Sequence, residues 1–195
     1  LLVFQWTENH QYAGKLILSM IPVGILGIIG QEQVEQLFTG NLALVGSALL
    51  LTGVILFLTT QVANRELDLK ASHAGIIGIA QAIAVIPGIS RAGATIGTAL
   101  LMGVDRNQAT RFSFLMVLVP VMGATALKLK TLVTEVPQGE AVTSGAALGA
   151  GFVAAFIAGL IACQWMIKLV RRGQLLYFGL YCLIVGGIAI GSSFF

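Results

Sequence analysis

Charged side chains are scarce in this chain. Only 10% of its 195 residues are Asp, Glu, Lys or Arg, whereas soluble domains carry about 25%. Hydrophobic residues make up 57%, and the mean hydropathy is +0.94. The composition excludes an ordinary soluble domain and predicts an all-α polytopic membrane protein. Two cysteines are too few for a disulfide framework, and a net charge of +3 gives no reason to expect nucleic acid as a partner.

The apolar segments also lack carboxylates. All eight acidic residues fall in the polar stretches between these segments: Glu8, Glu32, Glu35, Glu66, Asp68, Asp105, Glu135 and Glu140. No intramembrane carboxylate pair is therefore expected for acid–base catalysis or for a divalent cation. Of the two histidines, His10 lies in a polar stretch. His73 begins an apolar one, and we interpret it as an interfacial polar residue rather than a catalytic one.

One cation lies inside an apolar tract. Arg91 stands between Ala74 and Val104, where Gln81 is the only other strongly polar side chain. A guanidinium stays protonated, and a charge at membrane depth is costly, so Arg91 needs an anionic partner. The pattern favours a bound anionic ligand, and a buried protein carboxylate is the alternative.

The residues around Arg91 predict a broken helix. Pro87-Gly88 ends a helix over about 71–86, and Ser90 is a typical N-cap for a second helix over about 92–104. The second helix would begin beside Arg91, so its free N–H groups and its dipole point to the same place. Phosphate and carboxylate groups suit such a site.

The two half-helices predict a re-entrant hairpin over about 71–104. At 1.5 Å per residue the second half is about 20 Å long, against about 30 Å of hydrocarbon. A single kinked span is the alternative. The other predicted segments are the end of a span (1–6), a polar stretch (7–14), spans at 15–29, 42–63, 112–127, 141–167 and 174–195, a charged turn at 105–111, and loops at 30–41, 64–70, 128–140 and 168–173. Gly145, Gly149 and Gly151 predict a close-packed helix face.

Lysine and arginine counts in the loops favour the re-entrant hairpin. This topology places seven basic residues on the cytoplasmic side and two outside. If the segment 71–104 instead crossed the membrane once, five would be cytoplasmic and four outside. The C-terminus is then extracytoplasmic. The seven are Arg65, Lys70, Arg106, Arg111, Lys168, Arg171 and Arg172, and the two are Lys128 and Lys130.

The stretch Gln81–Thr95 resembles the signature of bacterial undecaprenyl-diphosphate phosphatases of the bacitracin-resistance type, Pro-Gly-x-Ser-Arg-Ser-x-x-Thr. The resemblance continues through Leu101–Gly103 and Arg111–Leu115 to Gly123-Ala124, and includes Ile21-Pro22. It implies inverted repeats of a re-entrant helical hairpin plus three transmembrane helices. The range 64–195 would be the second repeat. The range 1–63 would be the remainder of the first repeat (the end of one span, then two transmembrane helices), so we expect an N-terminal truncation.

The resemblance also implies a function. It predicts hydrolysis of undecaprenyl diphosphate to undecaprenyl phosphate and phosphate in the bacterial plasma (inner) membrane. This reaction recycles the lipid carrier of peptidoglycan synthesis and is linked to bacitracin resistance. The implied catalytic residues are Arg91 and Ser90, and the implied substrate-binding residues are Thr95, Gly88 and Gly93. For Thr95, a hydrogen bond back to the preceding helical turn is the alternative.

Two features depart from the family pattern. The serine that follows the arginine is Ala92 here, so its hydroxyl is lost. The family's Glu-rich segment and Ser-Ser-Thr-Gly-His stretch have no match, so we expect this chain alone to be inactive. Mg²⁺ or Ca²⁺ is implied as cofactor, with no ligand in this chain. The expected partners are a polyprenyl diphosphate lipid and the bilayer, with a homodimer left open.

Two other functions remain open from the sequence. A membrane transporter or lipid flippase also uses broken helices that face anions. A non-catalytic membrane scaffold would need Arg91 only as a partner for another protein group.

Overall fold

The computed structural model describes residues 2–29, 42–62, 65–134 and 145–193. These ranges are helical apart from short connections and one isolated β-bridge. The all-α prediction is therefore confirmed. The seven helices in these ranges are α1 (Leu2–Ile29), α2 (Leu42–Gln61), α3 (Ala71–Ile83), α4 (Arg91–Leu101), α5 (Arg106–Thr134), α6 (Gly145–Arg171) and α7 (Leu175–Ser192).

Four of the described helices are long and apolar enough to cross a membrane. They are α2, the Arg106–Lys130 part of α5, the Ala146–Arg171 part of α6, and α7. Their number confirms a polytopic membrane protein. The inverted repeats, with a boundary near residue 64, stay a prediction. The span predicted at 15–29 lies in the second half of α1, and its membrane crossing also stays a prediction.

Helix α1 runs through the polar stretch that was predicted to separate two segments. Residues 7–14 are helical, so that prediction is wrong. The stretch is polar but holds no proline, and its first glycine is Gly14. Glutamate, glutamine and alanine are good helix formers, so polarity alone gives the chain no reason to stop.

The charged turn predicted at 105–111 is also largely helical. Helix α5 begins at Arg106 because the Asp105 carboxylate accepts the N–H groups of Asn107 and Gln108, each at 3.0 Å. The same helix extends to Thr134, into the predicted loop over 128–140. The predicted loop over 30–41 and the rest of that second loop lie outside the described residues.

Helix α2 packs closely against α7. A Cβ at Gly46 would lie 2.9 Å from the Gly186 carbonyl oxygen, and one at Gly53 would lie 2.9 Å from that of Gly179. The α2 and α7 backbones therefore meet directly, as small residues allow in membrane helices. The close-packed face predicted on α6 is wrong where it is described, because a Cβ at Gly149 would meet nothing within 4 Å. Gly151 is equally open.

Helices α3 and α4 form a hairpin whose two ends are tied together. The Leu67 N–H donates to the Gly103 carbonyl at 2.9 Å, and the Asp105 N–H donates to the Leu67 carbonyl at 3.0 Å. Gly103 has φ +81°, which lets the chain turn at this point. This is the geometry of a helical hairpin, whereas a single kinked span would hold Leu67 and Val104 apart.

Candidate active site at the tip of the hairpin

The tip of the hairpin ends one helix and caps the next. Helix α3 ends at Ile83, and α4 begins at Arg91. Ser90 is the N-cap of α4: its backbone is extended, and its Oγ accepts the Gly93 N–H at 3.1 Å. The predicted cap is thus confirmed. Within the described ranges the Ser90 hydroxyl proton has no acceptor, so it is available to a ligand.

Arg91 is partly buried and has no counter-ion among the described residues. Its guanidinium makes no hydrogen bond or ion pair within those ranges. The N–H groups of Arg91 and Ala92 form the open first turn of α4, and neither donates to a described acceptor. Arg91 is thus a cation in the first turn of a helix, at the positive end of the helix dipole, and the described residues provide no anion for it. The alternative of a buried carboxylate partner finds no support in the described part of the chain.

Thr95 lies one turn into α4, and its side chain is fully buried. Its hydroxyl donates to the Arg91 carbonyl at 2.9 Å. This is the hydrogen bond to the preceding helical turn that the sequence left open as the alternative. This bond uses the only proton of the hydroxyl, so Thr95 supports the first turn of α4 from within. Direct contact between Thr95 and a phosphate stays a prediction and would require another rotamer.

Gly88 and Gly93 pack the tip against α2. Gly88 has φ +96°, and a Cβ there would lie 2.5 Å from the Val45 carbonyl oxygen. A Cβ at Gly93 would lie 2.9 Å from Cγ2 of Thr52. Both glycines therefore set the position of Ser90 and Arg91 on α2. Their predicted contact with substrate stays a prediction.

Thr52 of α2 is the residue at this site that the sequence did not reveal. Its side chain is fully buried, and its Oγ1 accepts the Ser90 N–H at 3.2 Å while donating to the Ala48 carbonyl at 3.1 Å. Thr52 thus fixes the N-cap of α4 to a spanning helix. The available signal was a threonine beside Gly53 in a largely apolar helix that also holds Ser47, Thr59 and Thr60, and this pattern does not identify its partner.

We expect Thr52→Val to destabilise the protein by about 1–3 kcal/mol, because the Ser90 N–H loses its acceptor in a partly buried site. Equilibrium unfolding in mixed micelles measures this loss. Thr60→Val is the matched control, since the Thr60 hydroxyl is exposed and bonds only to the Phe57 carbonyl. The control should change stability by less than about 0.5 kcal/mol. Equal stability of the two variants would contradict the anchoring role.

The described residues do not form a site for the expected divalent cation. They contain no group of three or more His, Cys, Asp or Glu side chains that could hold a metal ion. The carboxylates nearest in sequence to the hairpin are at its base, where Asp68 accepts from Gln108 and Asp105 caps α5. His73 also lies at the base and not at the tip. Its Nδ1 accepts the Lys70 N–H at 3.3 Å. Asp68, Asp105 and His73 therefore lie at the base of the hairpin and not at its tip, and the Mg²⁺ or Ca²⁺ that the resemblance implies stays a prediction.

These features define a class of protein. The chain is a polytopic helical membrane protein with a candidate site for an anion at the break between two half-helices. The site combines a guanidinium, a hydroxyl and two free N–H groups, which suits phosphate oxygens.

Comparison with known proteins identifies the family. The profile of the family described as "Bacitracin resistance protein BacA" matches residues 3–188. The chain is 45% identical over 193 residues to an undecaprenyl-diphosphatase of Christiangramia forsetii, covering 97% of this chain and 70% of that protein. It is 41% identical to those of Parabacteroides distasonis and Bacteroides fragilis, covering 99% of this chain and 73% of each. The chain belongs to the BacA family. All three relatives are named as diphosphatases, so the transporter alternative finds no support here.

Proposed function

We propose that this chain belongs to an enzyme that hydrolyses undecaprenyl diphosphate and that the hairpin tip binds the diphosphate. The observation that carries the proposal is Arg91, the first residue of α4, whose guanidinium has no protein anion among the described residues. Relatives over nearly the whole chain are named for this substrate. A diphosphate supplies the negative charge that the site requires.

The chemistry that the tip can support is stabilisation of charge on the phosphoryl group. In the hydrolysis a water oxygen bonds to the terminal phosphorus, the bridging P–O bond breaks, and undecaprenyl phosphate leaves. Arg91 offers a planar pair of donors to two phosphate oxygens, and the N–H groups of Arg91 and Ala92 offer two more. The Ser90 hydroxyl offers one further hydrogen bond to a phosphate oxygen. Charge neutralisation and positioning dominate phosphoryl transfer.

Release of phosphate from undecaprenyl diphosphate tests the proposed function. The active enzyme that contains this chain, purified in detergent, should release phosphate from this lipid and none from undecaprenyl phosphate, because only the diphosphate has a phosphoanhydride bond. The 195-residue chain alone should release none from either lipid. Vesicles that hold the protein and labelled lipid provide the second measurement. Movement of the lipid across the bilayer without phosphate release would instead indicate a transporter.

The packing of the hairpin on α2 supports a proposal for the depth of the site in the membrane. The tip residue Gly88 contacts Val45 in the first turn of α2, and Gly97 contacts Ile55 further along α2. The hairpin therefore follows α2 from its base towards the N-terminal end of α2. If the base is cytoplasmic in the bacterial plasma membrane, as the loop charges favour, the tip lies towards the extracytoplasmic side.

We expect single cysteines at Ser72 and Asn107 to be labelled from the same side of the membrane. Both positions are exposed, and they flank the tied base of the hairpin. The background replaces the free Cys163 and Cys182. A cysteine at exposed Ser193 is the control, and it should be labelled from the opposite, extracytoplasmic side. Labelling of the first two positions from different sides would contradict a re-entrant hairpin.

A homodimer is left open by these observations. In the hydrophobic window of α6 none of the residues is buried, so lipid or a second copy of the chain would cover this helix. Crosslinking in native membranes through a cysteine on α6 distinguishes the two.

A further inference from the structure

A second, separate group of cations surrounds a cleft at the basic end of the helices. A cavity of about 560 Å³ lies between the start of α5 and the end of α6. Its polar lining includes Asn107, Thr110, Arg111 and Arg171, and no carboxylate lines it. The hairpin tip contributes no residue to this cavity.

The two arginines of the cleft differ from their neighbour Arg106. The Arg106 guanidinium donates to the Val170 carbonyl at 3.4 Å and so fixes the end of α6 to the start of α5. Arg111 stacks over the Tyr12 ring, with its Cζ 5.7 Å from the ring centroid. Neither Arg111 nor Arg171 has a hydrogen-bond acceptor in the described part of the chain. Two exposed guanidiniums thus remain available at the mouth of the cleft.

Apart from Gln108, the rest of the cleft is apolar and follows the helix axes away from these arginines. On α5, Leu115 lines the cleft, and Leu118 continues the same face with 52% of its surface exposed. On α6, Ile167 lines it, and Leu160 continues that face with 48% exposed. A basic mouth above two exposed apolar helix faces matches a molecule with an anionic head and hydrocarbon tails.

We propose that this cleft binds an anionic phospholipid of the surrounding bilayer. Arg111 and Arg171 contact the phosphate of the headgroup, and Asn107 offers its amide to the headgroup as well. The acyl chains lie along the exposed faces of α5 and α6. Basic pockets between membrane helices are suited to anionic lipid headgroups. The proposal does not depend on the function of the hairpin tip.

Native mass spectrometry of the detergent-purified chain tests the proposal. Titration with phosphatidylglycerol should give tighter binding than titration with phosphatidylcholine of the same acyl chains. Arg171→Gln should weaken phosphatidylglycerol binding about fivefold, because one basic side chain is removed from the headgroup. Arg171 is the decisive position, since its side chain makes no hydrogen bond or ion pair within the described residues. Arg111→Gln should have a similar effect, and the double variant a larger one.

Arg172→Gln is the matched control, because it removes the same charge from the next residue, which does not line the cleft. It should leave binding unchanged. An equal loss for Arg172→Gln and Arg171→Gln, or equal binding of the two lipids, would overturn the proposal. Displacement of phosphatidylglycerol by millimolar inorganic phosphate would also overturn it, because the cleft would then be a site for free anions.

Discussion

Arg91→Lys will hydrolyse undecaprenyl diphosphate almost as slowly as Arg91→Ala. Lysine retains the positive charge but replaces the planar fork of donors with a single ammonium, so contact with two phosphate oxygens is lost. Removing one well-placed donor to the developing charge costs about 10²–10³ in rate. We therefore expect a loss of this size for both variants in the active enzyme. Phosphate release per amount of folded protein measures it.

The folded yield of the same samples separates binding from structure. Because the Arg91 side chain has no hydrogen-bond or ion-pair partner in the described ranges, both variants should elute as folded protein in wild-type amounts. Arg172→Ala is the control, since it removes an exposed cation far along the chain from the tip. It should retain wild-type hydrolysis. If activity falls only in proportion to the amount of folded protein, the role of Arg91 is structural. Normal hydrolysis by Arg91→Ala would show that Arg91 does not act in the site.

Gly88→Ala should destabilise the protein by about 2–6 kcal/mol, from backbone strain and overpacking together. At φ +96° a side chain is strained, and the new Cβ would lie 2.5 Å from the Val45 carbonyl oxygen. This oxygen belongs to the α2 backbone, so it cannot move aside as a flexible side chain would. The tip must shift instead, and Ser90 and Arg91 shift with it. A displacement of about 1 Å can cost about 10² in rate, so hydrolysis should fall as well.

Gly75→Ala provides the comparison for this measurement. Gly75 lies in α3 of the same hairpin, and a Cβ there would meet nothing within 4 Å. Alanine is the better helix former, so this variant should be more stable by about 0.5–1 kcal/mol. Equilibrium unfolding in mixed micelles and phosphate release on both variants provide the test. If Gly88→Ala were as stable as Gly75→Ala, the tip would not be held against α2 as described.

The sequence was most informative at the tip of the hairpin, because local chemistry decides the structure there. Pro87-Gly88 interrupts a helix wherever it is placed, and Ser90 caps the next helix through a bond to Gly93, three residues away. The predicted boundaries of α2 and α7 also lie within three residues of the observed ones. Long apolar runs between polar residues suffice to define such spans.

Contacts between helices could not be read in the same way. The Thr52–Ser90 bond joins residues 38 apart, and no local pattern reports such a pairing. Glycine spacing predicted close packing on α6, but the described contacts use Gly46 and Gly53 of α2 instead. A small side chain shows that a neighbour can approach closely without showing which neighbour does so. At residues 7–14 polarity was mistaken for a break, although no residue there stops a helix before Gly14.

The tied base of the hairpin has a consequence for how the protein is made. The bonds from Leu67 to Gly103 and Asp105 can form only after both half-helices have left the ribosome. Neither α3 nor α4 is long enough to hold a position across the bilayer by itself, so each depends on the other, and α3 also packs against α1 and α4 against α2. The hairpin is therefore completed late, as one unit that enters beside a helix already in place. Mutations that loosen its base should appear first as poor membrane insertion during synthesis.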